Sequence, residues 1–325
     1  MPGKGSVMFV PAGPHRFCRS VPIMNVFGAL PAGVKVDLVL PCLDEAGALP
    51  KVLADLPTGF RAIVVDNGSR DGSPEIAQAL GAVVIHENWR GYGAAVHAGL
   101  VAAEADYVAV MDCDGSTRAG DILPLLAHLL AGRADLVCGR RRPVARGVWP
   151  WHARFGNQVL ARLISVGAGT RLSDIASVRV ARRADLLALQ LTDRRCGYPL
   201  ETLLRAARSG WRISEFDVDH HPRALGTRSK ISGTARGTAL AVRDFVAVLV
   251  DHRRHPRAVV RPGAAVPEGA AVPHGAADPH GAAVAHGAVV RPGVAVPPAP
   301  LAQPVAHTKS HGPSSSSSPW VGATG

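Results

Sequence analysis

Asp112 and Asp114 flank one cysteine in the run Met111-Asp112-Cys113-Asp114-Gly115-Ser116. The five residues Tyr107 to Met111 before the pair are apolar or aromatic, so a buried strand ends as two carboxylates arrive at i and i+2. At a strand end that spacing aims both at one small volume, where they repel unless a cation lies between them. Hard divalent ions such as Mg2+ and Mn2+ take carboxylate oxygens and usually hold substrate phosphates as well. An isolated Asp-x-Asp is more often a pair of turn-capping acids, but here other polar segments keep it company.

Each of those segments follows a short apolar run. Pro41-Cys42-Leu43-Asp44-Glu45 follows the first, and Val65-Asp66-Asn67-Gly68-Ser69-Arg70-Asp71 closes the second. Asp66 reads equally as a turn-forming residue and as a ligand contact. Arg90-Gly91-Tyr92-Gly93 comes after the third, where Gly91 and Gly93 would let backbone approach a ligand. A dinucleotide site would need its glycine-rich fingerprint in the first of these turns, which argues against nicotinamide or flavin chemistry. The phosphate-loop pattern Gly-x-x-x-x-Gly-Lys-Ser/Thr is absent too.

Elements that place these residues can be read from the apolar pattern. Near-continuous apolar runs at 36–40, 62–65, 82–85, 107–111 and 136–138 read as strands buried on both faces. Helical stretches at 45–56, 73–80, 92–104 and 119–132 separate them. Strand–helix alternation gives an α/β domain with a mostly parallel sheet covered by helices on both faces. After Gly139 the pattern changes to a helix at 151–166, a strand at 178–180, a helix at 199–209, a half-buried strand at 211–218 and a helix at 235–251.

Residues 1–34 read as an irregular leader, with Met24 as an alternative start, and 35–255 as the ordered domain. Beyond that, glycines at 263, 269, 275, 281, 287 and 293 recur every six residues amid proline and alanine. With no recurring large aliphatic, 256–325 reads as a disordered tail rather than a β-helix, and its histidines as solvated.

A net charge of +11 calls for an anionic partner: a nucleotide phosphate, a lipid phosphate, an acidic membrane surface or nucleic acid. Three tyrosines without aromatic–basic interleaving argue against nucleic acid. Five scattered cysteines without a C-x-x-C pair read as reduced thiols of a cytoplasmic protein. No stretch reaches transmembrane length and no signal-peptide core is present, so the expected membrane contact is peripheral, at the inner face.

Taken in order, Pro-x-x-Asp-Glu, Val-Asp-Asn-Gly-Ser-x-Asp, Gly-x-Gly-Ala-Ala-Val and Asp-x-Asp resemble the family 2 glycosyltransferases, nearest to their polyprenyl-phosphate (dolichyl-phosphate) mannosyl- and glucosyltransferase branch. The resemblance covers about residues 36–252. It implies a GT-A fold, a nucleotide-diphospho-sugar donor, a divalent cation (Mg2+ or Mn2+) and a second half that receives the acceptor. By that likeness Pro41, Asp44, Glu45 and Asp66 hold the nucleoside and Gly91 and Gly93 line the nucleotide site. Asp112 and Asp114 reach ribose, metal and pyrophosphate. Ser173-Asp174-Ile175 and Tyr198-Pro199-Leu200-Glu201 resemble later motifs, which makes Asp174 and Glu201 the candidate bases for a hydroxyl acceptor. Arg223, Gly226 and Arg228-Ser229-Lys230 resemble a basic loop suited to pyrophosphate or lipid phosphate.

The sequence departs from the pattern at Asn67, where many relatives carry a second Asp, and at Ser116, where polyprenyl-phosphate enzymes often have Gln. The implied reaction moves a hexose to a polyprenyl-phosphate-type acceptor, with inversion. Its rivals are transfer to a small soluble hydroxyl acceptor and nucleotide-sugar binding without turnover.

Overall fold

The computed structural model describes residues 30–31, 33–145, 147–148, 151–168, 172–175, 178–224, 235–254, 259 and 261–263. The leader to residue 29, the glycine repeat beyond Gly263, and Arg228, Ser229 and Lys230 lie outside the described residues.

Strands β1 (Val36–Cys42), β2 (Phe60–Asp66), β3 (Val83–His86), β4 (Tyr107–Val110), β5 (Leu136–Pro143), β6 (Val178–Arg182) and β7 (Ile213–His220) form one sheet in the order β3-β2-β1-β4-β6-β5-β7. β3, β2, β1 and β4 are mutually parallel, as their alternation with helices predicts. β6 is the strand that makes the sheet mostly rather than wholly parallel: it lies antiparallel between β4 and β5, while β5 and β7 are parallel.

Successive residues of the central strands enter different cores, which is why the strands read as unbroken apolar runs. Val39, Ile63, Val65, Val108, Val110, Leu136 and Cys138 point to one face. There they meet α3 (Tyr92–Ala102), α5 (Trp151–Ala168), α6 (Arg183–Ala188), α7 (Tyr198–Arg208) and α8 (Ala235–Arg254). Leu38, Leu40, Ala62, Val64, Ala109 and Val137 point to the other, against α1 (Leu49–Ala54), α2 (Ser73–Ala79) and α4 (Ile122–Leu130). On α4 the buried positions 122, 125, 126 and 129 give the one-sided stripe of a surface helix.

Helix boundaries differ from expectation where turns intervene. Residues 45–48 form a turn, so α1 starts at Leu49, and residues 119–121 form a 3-10 turn before α4. β7 begins at Ile213 rather than at Trp211, and β5 runs on to Pro143. The short α6 directly after β6 has no counterpart in the sequence reading.

The amino edge of the sheet is closed by Asp37, which is 1% exposed. Its carboxylate accepts from Arg61 Nε and Nη2, both at 2.8 Å, and from the backbone N–H of Glu104 and Ala105 at 2.6 and 2.9 Å. One buried acid thereby joins β1, β2 and the α3–β4 connection, and leaves the carboxyl edge for function.

Candidate active site at the carboxyl edge of the sheet

β4 stops at Val110, and the N–H of Met111 still donates to Val39 O at 3.1 Å. The chain then turns and presents Asp112, half-buried, and Asp114, 3% exposed. Burial and the Asp114 charge push the Asp112 carboxyl above the ordinary carboxylate range, against the opposing pull of Arg141, Arg223 and Arg179. The two acids are thus close enough for the charge of one to act on the other.

Asp114 is the better-anchored of the two. Its Oδ1 accepts the N–H of Ser116 at 2.9 Å and its Oδ2 pairs with Arg223 Nη1 at 2.8 Å. The segment after β7 is laid along the same loop: His221 N–H donates to Ser116 O at 2.8 Å and Ala224 N–H to Asp114 O at 3.0 Å. Arg223, expected on a substrate phosphate, therefore sits on a metal-ligand candidate. Burial, followed by the Arg141 charge, lowers His220 beside this strap to about 4, so its ring is neutral near pH 7.

The turns after β1 and β2 hold each other. Asp44 adopts φ +52°, a left-handed conformation that Asp tolerates. Its N–H donates to Ser69 Oγ at 2.9 Å, and its Oδ1 accepts Arg70 N–H at 2.8 Å. Glu45 N–H donates to Ser73 Oγ and Ala46 N–H to Asp71 Oδ2, each at 2.9 Å. Asp66 accepts the N–H groups of Gly68 and Ser69 at 3.2 and 3.0 Å and faces His86 Nδ1 at 3.4 Å. Burial alone would raise its carboxyl, but the Ser69 and Gly68 bonds lower it overall. The turn-forming reading of Asp66 is thus realised. Pro41 is half-buried in β1, and its carbonyl accepts the Cys113 thiol at 3.0 Å.

Asn67 explains its own departure from the usual Asp. Nδ2 donates to the carbonyls of Glu87 and Trp89 at 2.9 and 2.8 Å, while Oδ1 accepts Gly91 N–H at 2.8 Å. A carboxylate has no N–H to supply the first two bonds.

Gly91 and Gly93 are needed for packing against protein. A Cβ at Gly91, where φ is +149°, would collide with the Arg194 carbonyl, and one at Gly93 would lie 2.8 Å from both Asp193 O and Tyr198 Cβ. Gly93 and Ala94 N–H groups donate to Arg195 O and Arg194 O at 3.0 and 2.8 Å. The amino end of α3 is capped by the chain's own 193–195 segment, a contact between residues a hundred positions apart that the Gly-x-Gly spacing does not reveal.

That segment is held by Glu201. Its carboxylate, 4% exposed as a residue, accepts Thr192 N–H at 2.9 Å, Thr192 Oγ1 at 3.0 Å and Asp193 N–H at 2.8 Å, and it pairs with Arg205. Asp174 is equally engaged. Arg141 grips it with Nη2–Oδ1 2.7 Å and Nε–Oδ2 2.9 Å, and Arg141 N–H adds a third bond at 2.9 Å. Burial opposes ionisation of Asp174, but the Arg141 bonds and charge hold it below the usual carboxylate range. Both candidate bases are ion-paired and anchor loops in this geometry.

Sequence reasoning did not single out Arg141, Arg179 or Arg205. The available signal was a lone arginine between valines in Val178-Arg179-Val180, a charge set into a buried strand.

The family model for glycosyl transferase family 2 matches residues 37–185. An uncharacterized glycosyltransferase of Mycobacterium tuberculosis (strain ATCC 25618 / H37Rv) is 52% identical over 218 residues, 67% of this chain and 99% of that protein. The chain belongs to glycosyltransferase family 2. A dolichyl-phosphate hexose transferase of Haloferax volcanii is 33% identical over 220 residues, covering 66% of this glycosyltransferase and 94% of the relative. Among solved structures, glucosyl-3-phosphoglycerate synthase from Mycobacterium tuberculosis with Mn2+ and UDP-glucose aligns at TM-score 0.54 and 21% identity, over 68% of this chain and 79% of that one. Mannosyl-3-phosphoglycerate synthase from Rubrobacter xylanophilus aligns at TM-score 0.56 and 18% identity, over 71% and 78%. These likenesses establish the GT-A fold of this glycosyltransferase.

Proposed function

We propose that residues 35–255 transfer a hexose from a nucleotide-diphospho-sugar to a phosphate-bearing acceptor, polyprenyl phosphate first among them. The observation that carries the donor half is the Asp112–Asp114 pair just after the carboxyl end of β4, with Arg223 on Asp114. Their oxygens fit a hard divalent cation such as Mg2+ or Mn2+. Among the described residues no group of three or more His, Cys, Asp or Glu gathers as a metal cage. That suits an ion that takes one or two carboxylates and completes its shell with water and substrate phosphate. When bound, such an ion neutralises charge on the departing diphosphate.

The protein's own groups then have separable tasks. Pro41, Asp44, Glu45 and Asp66 build the two interlocked turns facing the nucleoside. The Gly91–Gly93 segment, tied to Asn67, fixes the start of α3 beside them. Arg223 reaches the same volume as Asp114 and is placed to share charge with the diphosphate. Arg228, Ser229 and Lys230, outside the described residues, are proposed as further phosphate-binding groups on the strength of their residue types. A phosphate acceptor is already anionic and needs little base help. The ion-paired state of Asp174 and Glu201 therefore favours it over a hydroxyl.

The named activity of the Haloferax relative supports the lipid acceptor. A second reading, transfer to a soluble phosphorylated acceptor, has the phosphoglycerate synthases as its support. No described helix is long and apolar enough to cross a membrane. Thermal shift with UDP-, GDP- and dTDP-sugars, with and without Mn2+, tests the donor, since a ligand of the native state raises its melting temperature. Transfer from the labelled donor tests the acceptor: label entering the organic phase supports polyprenyl phosphate, and label confined to water supports the second reading.

A further inference from the structure

Three arginines, Arg141, Arg223 and Arg179, carry charge that reaches Asp112. Two of them have carboxylate partners: Arg141 is held by Asp174 and Arg223 by Asp114. Arg179 has none among the described residues. It lies on β6, in register with Val110 of β4 on one side and Cys138 of β5 on the other, and is 3% exposed. Its one hydrogen bond runs from Nη2 to the hydroxyl of Tyr92 at 3.1 Å, and its Nη1 is buried without an acceptor.

A buried guanidinium with no ion pair is costly, because a carboxylate out of contact, such as Asp112, offsets its desolvation only in part. Buried arginines that serve only the fold are normally paired, as Arg205 is with Glu201. The sheet order also places Arg179 informatively. The turns facing the donor sit on β1, β2 and β3, the aspartate pair follows β4, and β6 is the next strand beyond it. The unpaired charge lies on the side of the aspartates away from the nucleoside turns.

We propose that Arg179 is a selectivity residue for the acceptor: its buried guanidinium, held in no ion pair and with Nη1 lacking an acceptor, favours a phosphate monoester over a neutral hydroxyl compound. This rests on the glycosyltransferase reading above and adds the residue that chooses the acceptor class. Low surrounding polarity lets that charge act on an anion without direct contact. Tyr92, the first residue of α3, fixes the guanidinium by its hydroxyl. A lipid phosphate and a soluble phosphate ester present the same group to it.

The test compares wild type, Arg179→Gln and Arg179→Lys with three acceptors: polyprenyl phosphate, 3-phosphoglycerate and a neutral glycoside. The expected result is at least a tenfold rise in KM for whichever phosphate the wild type uses in Arg179→Gln, and recovery to within about threefold in Arg179→Lys. The donor KM shifts by less than threefold, so that the main loss falls on the phosphate acceptor. In the wild type, inorganic phosphate competes with the acceptor.

An unchanged phosphate KM in Arg179→Gln overturns the proposal, as does an equal loss of donor binding. If Arg179→Gln does not fold, Arg179→Lys and phosphate competition decide it. A lysine variant that loses phosphate and neutral acceptors equally, or a wild type that inorganic phosphate does not inhibit, overturns it. Wild-type protein that binds no nucleotide sugar refutes the glycosyltransfer reading instead, so the two failures are distinguishable. Polyprenyl phosphate and 3-phosphoglycerate as the responsive acceptor separate the lipid from the soluble source.

Discussion

Arg223 Nη1 lies 2.8 Å from Asp114 Oδ2, so an arginine from the strap after β7 holds the carboxylate proposed for a cation. Arg223 and a divalent ion compete for that oxygen, yet both favour a diphosphate beside it. Removing the arginine should therefore split two properties that usually move together. Arg223→Gln is expected to tighten Mn2+ binding about fivefold, the scale of a partly exposed ion pair. Turnover should fall by about tenfold to a hundredfold through lost stabilisation of the leaving group. Mn2+ titration monitored by donor binding, set beside kcat, checks both. Weaker Mn2+ binding in the variant would show that Arg223 positions Asp114 rather than competing for it.

Asp114→Ala tests the aspartate itself. Transfer and metal-dependent donor binding should vanish while the fold persists, because the β1–β4 pairing lies before the loop. Circular dichroism and a donor–Mn2+ thermal shift supply the two readouts. Wild-type turnover with normal Mn2+ dependence would remove Asp114 from the metal site.

Glu201 is expected to act through stability. Its removal leaves Arg205 buried without a counter-charge and frees the 192–195 segment that caps α3. Breaking a buried pair on one side costs about 3–5 kcal/mol. Glu201→Ala should therefore lower the unfolding free energy by about that amount, measured by urea denaturation. The pH–rate profile of the protein that remains folded should keep its wild-type acidic limb. Loss of that limb at unchanged stability would restore Glu201 as a base.

The parts of this glycosyltransferase legible in its sequence are those where a local pattern has one physical cause. β1, β2 and β4 are buried on both faces, so each appears as an unbroken apolar run, and the polar residue after each run lands at the carboxyl edge of the sheet. β6 was legible as a strand but not in direction, because Val178–Arg182 carries no local mark of which neighbour it joins. The pairing of Arg179 with Val110, and the capping of α3 by Arg194 and Arg195, depend on residues far apart in the chain. Asp174 and Glu201 read as bases because carboxylates near a motif look reactive. Only their partners, Arg141 and Arg205, show how each charge is engaged.

Asp37 gives the fold a measurable acid response. Burial works against its charge, but the Arg61 hydrogen bond and the N–H groups of Ala105 and Glu104 hold its carboxyl below the usual value. A lowered folded-state pKa stabilises the native state above the unfolded value of about 3.9, and that contribution is lost as pH falls through the folded value. Asp37→Asn should thus be less stable than wild type at pH 7, by roughly 2–3 kcal/mol for the broken charge-assisted contacts. The gap should narrow as pH drops below about 4. Urea unfolding of both proteins between pH 7 and pH 3 provides the comparison, and a gap constant across that range would mean that Asp37 does not titrate with folding.

The acceptor reading makes a prediction for α8. Ala241, Asp244 and Val248 of that helix are buried against the domain, while Val242, Val246 and Val250 are 55%, 53% and 40% exposed in a row at every fourth residue. Arg243 and Arg254 flank that row from exposed positions. An apolar stripe edged by arginines matches the interface of an anionic bilayer, where the valines enter and the arginines meet headgroups. If the acceptor is a lipid phosphate, the protein should co-sediment with anionic vesicles at low salt, less at high salt, and little with neutral vesicles. Each buried valine contributes about 1.5 kcal/mol, so replacing Val242 and Val246 by Glu should weaken binding on the order of a hundredfold. The same double variant should keep its wild-type kcat toward a water-soluble short-chain polyprenyl phosphate, because on that reading the stripe serves docking and not the chemistry at Asp112. Absence of vesicle binding together with transfer confined to soluble phosphates would assign the stripe to some other contact and the enzyme to a soluble acceptor.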